Sequence, residues 1–351
     1  MKIRTMSLAR IAERCYNITE SYLNIPSDHS SAIINETKNA VSLTKHYLLD
    51  DIFPRWNPLN GAISFSYNGG KDCQVLLLLY LACLWEFFVV NARQSQYETQ
   101  YHKFPMNELP TVFIDSKETF PSLESFIEYT QRRYVLSLYE SKKDKLDPRV
   151  KQDMSDAFRR FLELFPETQA ITIGVRHTDP FGEHLKPIQR TDSGWPDFYR
   201  LQPLLHWKLA HVWSFLLFSG EPICGLYGMG FTSIGDVDNT LPNPYLKKNK
   251  GTYDTESVCG AGRFMFEWEV MNSYRESNID GGVDGSTGSR NDYDCDGRCS
   301  FRDNVNIFSI DKMDEEWLDR LGGSDLYYPG WCLTEDSLER AGRIKNSTRT
   351  Q

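Results

Sequence analysis

The chain has 351 residues, of which 40% are hydrophobic and 13% aromatic, and its formal net charge is −9. This composition predicts a globular protein with a sizeable buried core, in one large domain or two modest ones. The acidic balance and the lack of any block rich in Lys and Arg argue against nucleic acid as a partner, and no oligomer is required.

Two amphipathic helices are predicted first, because apolar residues recur at helical spacing over residues 8–18 and 40–48. We expect them to cover one edge of a sheet. The early basic residues Lys2, Arg4, Arg10 and Arg14 flank no continuous apolar segment, so a secretory signal is not expected. Eight cysteines are too few for a disulfide scaffold. We therefore predict a cytoplasmic protein, with a mitochondrial pool as the alternative.

The most informative segment is residues 64–72, which reads SFSYNGGKD. Strand-forming residues lead into it, Gly69 and Gly70 allow a sharp turn, and an apolar run follows directly. A loop at a helix N-terminus offers free N–H groups and the positive end of the helix dipole, and both favour an anion. The segment therefore predicts a phosphate-binding loop.

The loop does not match the Walker A pattern, in which a glycine and four residues precede Gly-Lys-Ser or Gly-Lys-Thr. Here Asp72 follows Lys71, where that pattern has a hydroxyl. Because a bare aspartate repels phosphate, this carboxylate predicts a Mg²⁺ ion that arrives with a nucleotide. A Gly-Gly turn capped by Asp72 is the structural alternative.

Further along the chain, short apolar segments alternate with helical patterns, which predicts a mostly parallel sheet flanked by helices. The short segments are residues 111–115, 134–138 and 170–175, and the helical ones are 75–90, 154–164 and 207–217. The run at 75–90 has only 16 residues and contains Glu86, whereas a membrane span needs about 20. We interpret it as a core helix and expect no membrane partner.

In parallel sheets, ligands bind beyond the carboxyl ends of the strands. Polar residues follow the predicted strands at those ends, which makes them candidates for a binding site. They are residues 68–72, then Asp115 and Ser116, then Arg176, His177, Thr178 and Asp179.

Residues 276–304 are rich in Gly, Asp, Asn and Ser, which predicts a surface loop or a disordered insertion. The spacing of Cys295 and Cys299 fits no zinc knuckle, and the nearby aspartates fit no EF-hand, so a solvated loop is preferred over a metal site. We divide the chain into an α/β nucleotide-binding domain with N-terminal helices, residues 1–250, and a C-terminal extension, residues 251–351.

Four segments in order resemble the eukaryotic FAD synthetases, which are FMN adenylyltransferases. They are the loop, HTDPFG at 177–182, RTDSGWPDF at 190–198 and PICGLYGMGFTSIG at 222–235. The similarity covers about residues 52–250 and resumes at 338–343. It implies a Rossmann-like adenine nucleotide α-hydrolase fold of the phosphoadenosine phosphosulfate reductase-like group. It also implies that ATP and FMN are converted to FAD and pyrophosphate with Mg²⁺.

The resemblance also implies roles for individual residues. Asn68 and Asp72 fall on the functional positions of the loop, and Asp72 and Asp179 would be the Mg²⁺ carboxylates. Arg340 and Arg343 would complete the catalytic site, so the extension must return to the loop. The implied substrate-binding residues are Ser66, Gly69, Gly70, Lys71, Ile114, Asp115, Arg176, Asp192, Trp195 and Phe198.

The implied binding roles differ along the chain. Lys71 would cradle phosphates with the two glycines, and Ile114 and Asp115 would lie near adenine. Asp192 would accept a hydrogen bond from the flavin N3–H. The aromatic side chains of Trp195 and Phe198 would contact the flavin ring.

Each role has a structural alternative. Asp72 would cap the following helix, Asp192 would form an Asx turn, and Arg340 would pair with Glu339 in solvent. His177 is expected to be a turn or orienting residue, because a phosphate nucleophile needs no deprotonation. The glycines of residues 222–235 are expected to permit tight backbone packing.

Two other functions stay open. The first is another enzyme of the same fold, a phosphoadenosine phosphosulfate reductase or an ATP pyrophosphatase. Against these, Cys332 lacks the surroundings of the reductase cysteine, and Asn68 and Cys73 depart from the pyrophosphatase loop. The second is a non-catalytic flavin-nucleotide binding protein, for which the metal carboxylates and both arginines would be unnecessary.

Overall fold

The computed structural model describes residues 6–27, 30–94, 103–114, 118–141, 154–248, 305–321 and 326–344. Its strands are β1 (Ile63–Ser66), β2 (Leu109–Phe113), β3 (Leu136–Glu140), β4 (Ala170–Thr172), β5 (Ile188–Arg190) and β6 (Tyr199–Leu201). Its α-helices are α1 (Leu8–Leu23), α2 (Ala32–His46), α3 (Lys71–Gln94), α4 (Pro121–Tyr134), α5 (Met154–Leu164), α6 (Leu209–Ser219) and α7 (Lys312–Arg320). The predicted loop at residues 276–304 lies outside the described residues.

The six strands form one sheet in the order β3-β2-β1-β4-β6-β5, and all neighbouring pairs are parallel except β5 with β6. This confirms the predicted mostly parallel sheet. The chain moves outward from β1 to β2 and β3 and then returns to the other side of β1 with β4. In open α/β sheets a ligand binds where the strand order reverses in this way. A binding site is therefore expected at the loops that follow β1 and β4.

Helix α3 is the core helix of the molecule, and it is longer than the sequence predicts. It has 24 residues, and the side chains of residues 75–84 are buried. By length and composition alone, Lys71–Ala92 is apolar enough to cross a membrane, so the argument from a 16-residue run was wrong. Its burial inside the protein, at 67% of the most apolar window, is what supports the interpretation as a core helix.

The two N-terminal helices cover other helices rather than the edge of the sheet, so the expected position was wrong. Helix α1 packs on α3 and α6, and α2 packs mainly on α6. The reason is that α3 and α6 are apolar on nearly every side and need a second layer outside them. The Tyr22 and Ser214 hydroxyls, 2.6 Å apart, join α1 to α6 inside this layer.

Glu221, which follows α6, is a buried hub between three parts of the chain. Its side chain is only 2% exposed and pairs with Arg14 of α1. Its Oε2 also accepts hydrogen bonds from Arg133 Nε at 2.8 Å and from the Tyr134 hydroxyl at 2.7 Å. Tyr134 in turn accepts from Gln74 of α3 at 3.0 Å. The hub thus joins α1 and α4 to the first turn of α3.

Replacing Glu221 by Ala should destabilise the protein by about 3–5 kcal/mol, because it leaves partly buried arginines without their carboxylate. Denaturant unfolding measures this change. Asp50→Asn serves as the control, since the His46–Asp50 pair is exposed and should contribute little. If the two substitutions lower the free energy of unfolding equally, Glu221 is not the buried hub described above.

Candidate active site

The loop after β1 is shaped by its own side chains. The Gly70 N–H donates to Asn68 Oδ1 at 2.9 Å, and the Lys71 N–H donates to the Tyr227 hydroxyl at 2.9 Å. Gly69 has φ +72°, and a Cβ there would lie 2.7 Å from Leu123 Cδ1. Only glycine fits that position without strain, which explains one of the two glycines.

Arg176, which follows β4, is fully buried and surrounded by carboxylates. Its Nε lies 2.9 Å from Asp72 Oδ1, and its two terminal nitrogens lie 3.2 Å from Asp336, 2.5 Å from Glu339 and 3.5 Å from Asp179. Its own N–H also donates to Asp179 Oδ2 at 2.9 Å. Arg176 was predicted to bind substrate. That role stays a prediction, and in this structure Arg176 is the cation that holds four acidic residues together.

Lys71 is the second cation of this cluster, and it is 3% exposed. Its Nζ lies 3.0 Å from Asp72 Oδ2 and also pairs with Glu339. The main-chain N–H of Lys71 donates to the Tyr227 hydroxyl. The main-chain and side-chain donors of Lys71 are therefore both bonded within the protein. The predicted role of Lys71 in cradling phosphates stays a prediction.

The cluster carries an excess of negative charge, because two cations face four carboxylates. Burial raises the pKa of Asp72, but the charges of Arg176 and Lys71 outweigh it and hold that pKa below its usual value. Burial also raises the pKa of Asp179, and there Arg176 only partly offsets it. On acidification Asp179 is therefore the first of the two to lose its charge.

Asp72 and Asp179 are the two carboxylates predicted to bind metal. They suit Mg²⁺ better than a metal ion that is coordinated by protein side chains alone. No group of three or more His, Cys, Asp or Glu among the described residues is arranged to hold a metal. Mg²⁺ typically takes one or two carboxylates and completes its shell with water and phosphate oxygens. Asp72 Oδ1 is buried and makes no hydrogen bond of good geometry within the described structure, although Arg176 is near. Asp72 and Asp179 could thus hold a Mg²⁺ together with a nucleotide.

Arg343 comes from the C-terminal segment and is fixed beside residues 233–240. Its guanidinium donates to Thr240 Oγ1 at 2.8 Å, to the Ile234 carbonyl at 3.1 Å and to Ser233 Oγ at 3.2 Å. A Cβ on Gly235 would lie 1.4 Å from Arg343 NH1, so the glycine makes room for this side chain. The close approaches at Gly225 and Gly230 likewise confirm that the glycines of this segment serve backbone packing.

Arg340 and Arg343 form a pair of cations without carboxylate partners. Arg340 is exposed and lies 3.5 Å from Ser233 Oγ, and none of the ion pairs found among the described residues includes either arginine. Burial and the charge of Arg340 lower the pKa of Arg343. An anion near both guanidinium groups would relieve this repulsion. The predicted pairing of Arg340 with Glu339 in solvent is wrong, because Glu339 is buried against Lys71 and Arg176.

A cleft of about 530 Å³ lies beyond the end of β4 and brings Arg340 to the segment that carries Asp179. His177 is at its rim, where its Nδ1 lies 2.9 Å from the Gly182 carbonyl, as expected for a turn residue. Phe181 also lines it, 97% exposed and with φ +64°, a backbone conformation that bulky residues rarely adopt. Sequence reasoning did not select Phe181.

The residues predicted to contact flavin lie at the other edge of the sheet. Tyr199, where β6 begins, is level with Ala170 and Ile63, the first residues of β4 and β1. Because β5 is antiparallel to β6, the turn between them projects from the amino ends of the strands. This turn carries Asp192 and Trp195, and it also contacts the start of α5, where Ser155 Oγ donates to the Gly194 carbonyl at 3.3 Å.

Within that turn, the predicted residues differ in how accessible they are. Asp192 is exposed and accepts from Arg200 at 3.1 Å rather than forming an Asx turn. Trp195 is 41% exposed, whereas Phe198 is 3% exposed and packs on Phe158 with ring centroids 5.2 Å apart. Protein covers the ring of Phe198 in this structure, and its predicted contact with the flavin ring stays a prediction.

The remaining predicted residues lie at the carboxyl edge of the sheet. Ser66 is the last residue of β1, and Ile114 directly follows β2 and is half-buried. Asp115 lies outside the described residues.

Sequence reasoning missed Asp336, Glu339 and Tyr227, which contact the loop or Arg176 from far along the chain. No local pattern marks them, since a buried acid and a surface acid look alike in sequence.

Comparison with known proteins agrees with this site. The sequence profile of the phosphoadenosine phosphosulfate reductase domain matches residues 62–242. Flavin adenine dinucleotide synthase of Saccharomyces cerevisiae is 53% identical over 97% of this chain and 100% of its own length.

Two solved structures of Candida glabrata FMN adenylyltransferase are also similar. One contains FMN and the ATP analogue AMPCPP, with a TM-score of 0.76, 49% identity and coverage of 98% of this chain and 99% of that chain. The other contains FAD and inorganic pyrophosphate, with a TM-score of 0.78, 50% identity and coverage of 96% and 100%. The chain therefore belongs to the FAD synthase family, the FMN adenylyltransferases that carry a phosphoadenosine phosphosulfate reductase domain.

Proposed function

We propose that this chain transfers the adenylyl group of ATP to FMN, giving FAD and pyrophosphate, with Mg²⁺ held by Asp72 and Asp179. The observation that carries the proposal is that carboxylates and arginines lie together beyond the carboxyl ends of β1 and β4. Half-buried carboxylates lie there beside two arginines that form no ion pair with a carboxylate among the described residues. Similarity to the enzymes with bound FMN, ATP analogue, FAD and pyrophosphate supports it.

In the proposed reaction, an oxygen of the FMN phosphate attacks the α-phosphorus of ATP. A new P–O bond forms as the bond to the α,β-bridging oxygen breaks, and pyrophosphate leaves with that electron pair. The FMN phosphate is already ionised near neutral pH, since its second pKa is about 6. No general base is required, which agrees with the hydrogen bond of His177 to a main-chain carbonyl.

The protein must therefore position two anions and neutralise the charge that develops on the leaving group. The loop at Asn68 to Gly70 offers main-chain N–H groups at the start of α3. Arg340 and Arg343 would bind the departing pyrophosphate oxygens. When bound, Mg²⁺ would neutralise phosphate charge at Asp72 and Asp179.

The position of Asp192 and Trp195 adds a constraint on how FMN lies. The strand register separates Tyr199, which follows their turn, from the level of Asn68 by about five residues, roughly 17 Å at ~3.3 Å per residue. FMN would have to extend from one edge of the sheet to the other, with its ribityl chain between ring and phosphate. Contact of both residues with the flavin rests on this extended pose.

The direct test is incubation of the purified protein with FMN, ATP and Mg²⁺, followed by separation of the flavins. FAD appearing in equal amount with pyrophosphate is the expected result. FMN retained without turnover would favour the non-catalytic binding protein, and pyrophosphate released without FAD would favour an ATP pyrophosphatase.

Arg340→Ala and Arg343→Ala should each lower kcat at least about tenfold, because each removes a charge-assisted contact to the leaving group. Turnover should fall by a larger factor than the loss of three neutral hydrogen bonds alone would cause through instability, since among the described residues neither arginine pairs with a carboxylate. Gly235→Ala should reproduce the Arg343 defect, because its methyl group would displace the guanidinium. Unchanged turnover in both arginine variants would refute their role.

Asp72→Asn should raise the Mg²⁺ concentration needed for half-maximal activity, because an amide is a weaker ligand than a carboxylate. Titration with Mg²⁺ at saturating ATP and FMN measures the shift. Asp50→Asn, far from the loop and exposed, is the control. If the titration curves of Asp72→Asn and the wild type superimpose, Asp72 is not a metal ligand.

We also propose that the protein works in a reducing compartment, the cytoplasm, with a mitochondrial pool as the alternative. Free thiols support this. Cys15, Cys73, Cys83 and Cys224 are buried and form no disulfide within the described residues.

A further inference from the structure

Glu339 differs from the two arginines that follow it in the C-terminal segment, because it faces inward. It is 4% exposed, and its carboxylate pairs with Lys71 at the start of α3 and with Arg176 after β4. Its side chain thus contacts both sides of the strand reversal at once. Glu339 is also held by its backbone, since its carbonyl accepts a hydrogen bond from the Thr232 hydroxyl at 2.6 Å.

The same two cations are the partners of the carboxylates assigned to Mg²⁺. Lys71 pairs with Asp72 and Glu339, and Arg176 pairs with Asp72, Asp179 and Glu339. Glu339 therefore competes with Asp72 and Asp179 for positive charge. The carboxylate of Glu339 neutralises part of the positive charge of Lys71 and Arg176. Asp72 and Asp179 therefore keep an excess of negative charge, which attracts a metal ion.

We propose that Glu339 is a positioning residue that sets the affinity of the site for Mg²⁺-nucleotide by occupying Lys71 and Arg176. In this arrangement Lys71 is a counter-ion of Glu339 and Asp72 and not a phosphate ligand. The adjacent Arg340 is placed over the cleft by the same contact. The inference rests on the proposed function for the identity of the ligand, but it concerns binding and does not require turnover.

Glu339→Gln keeps the size of the side chain and removes one negative charge from the cluster. We expect binding of ATP in the presence of Mg²⁺, measured by calorimetry without FMN, to weaken about tenfold, because Lys71 and Arg176 then neutralise Asp72 and Asp179 more fully. The Mg²⁺ concentration for half-maximal activity should rise by a similar factor. Glu339→Asp, which keeps the charge, should recover most of the affinity.

The matched control is Glu335→Gln in the same segment. Glu335 is exposed, and its carboxylate accepts from the Ser337 hydroxyl at 2.9 Å. This variant should bind Mg²⁺-ATP like the wild type. If Glu339→Gln lowers only the melting temperature and leaves Mg²⁺-ATP affinity unchanged, Glu339 is structural and the proposal is overturned.

A double-mutant cycle keeps the proposal testable if Glu339→Gln folds poorly. Lys71→Met and Glu339→Gln should each lower the melting temperature, and the double variant should be more stable than the sum of the two changes predicts, because the buried charges are removed together. Additive losses would overturn the pairing.

If the wild type binds Mg²⁺-ATP but forms no FAD, the adenylyl transfer is refuted while the Glu339 proposal stays open to these measurements.

Discussion

The complete burial of Arg176 is the constraint on which the rest of the site depends. A buried guanidinium without partners is costly, so the fold must bring carboxylates to it from several directions. They come from α3, from the turn after β4 and from the C-terminal segment, as Asp72, Asp179, Asp336 and Glu339. Because these residues are so far apart in sequence, the ion pairs also fix the path of the chain. The charge cluster is at once part of the core and the floor of the proposed active site.

The cations of the site divide into two groups with different tasks. Lys71 and Arg176 are buried and paired, so they set the charge and position of the acidic residues. Arg340 is exposed, and Arg343 is bound only to neutral oxygens. Only the second pair is available for an anionic ligand without breaking an ion pair. The lysine of the predicted phosphate-binding loop thus belongs to the paired group.

The sequence predicted the features that depend on local patterns. The strand before Asn68, the core helix after Gly70, and the helix at Met154–Leu164 follow from periodicity and turn chemistry, and the structure has them. The predicted parallel sheet also placed Asp72 and Asp179 at one edge, since the carboxyl ends of neighbouring parallel strands meet. The ion pairs of Arg176 with Asp336 and Glu339 depend on contacts over more than 100 residues, for which a single sequence has no signal. Phe198 and Trp195 look equivalent in sequence and both lie against Phe158, and only the burial of Phe198 distinguishes them in the structure.

The fate of each phosphate of ATP tests the account most directly. ATP labelled with ³²P at the α-position, incubated with FMN and Mg²⁺, should place its label in the flavin product, and ATP labelled at the γ-position should place it in pyrophosphate. Such a result requires attack at the α-phosphorus and cleavage of the bond to the α,β-bridging oxygen. Label from the γ-position in a flavin, or α-label released only as AMP, would contradict adenylyl transfer to FMN at this site.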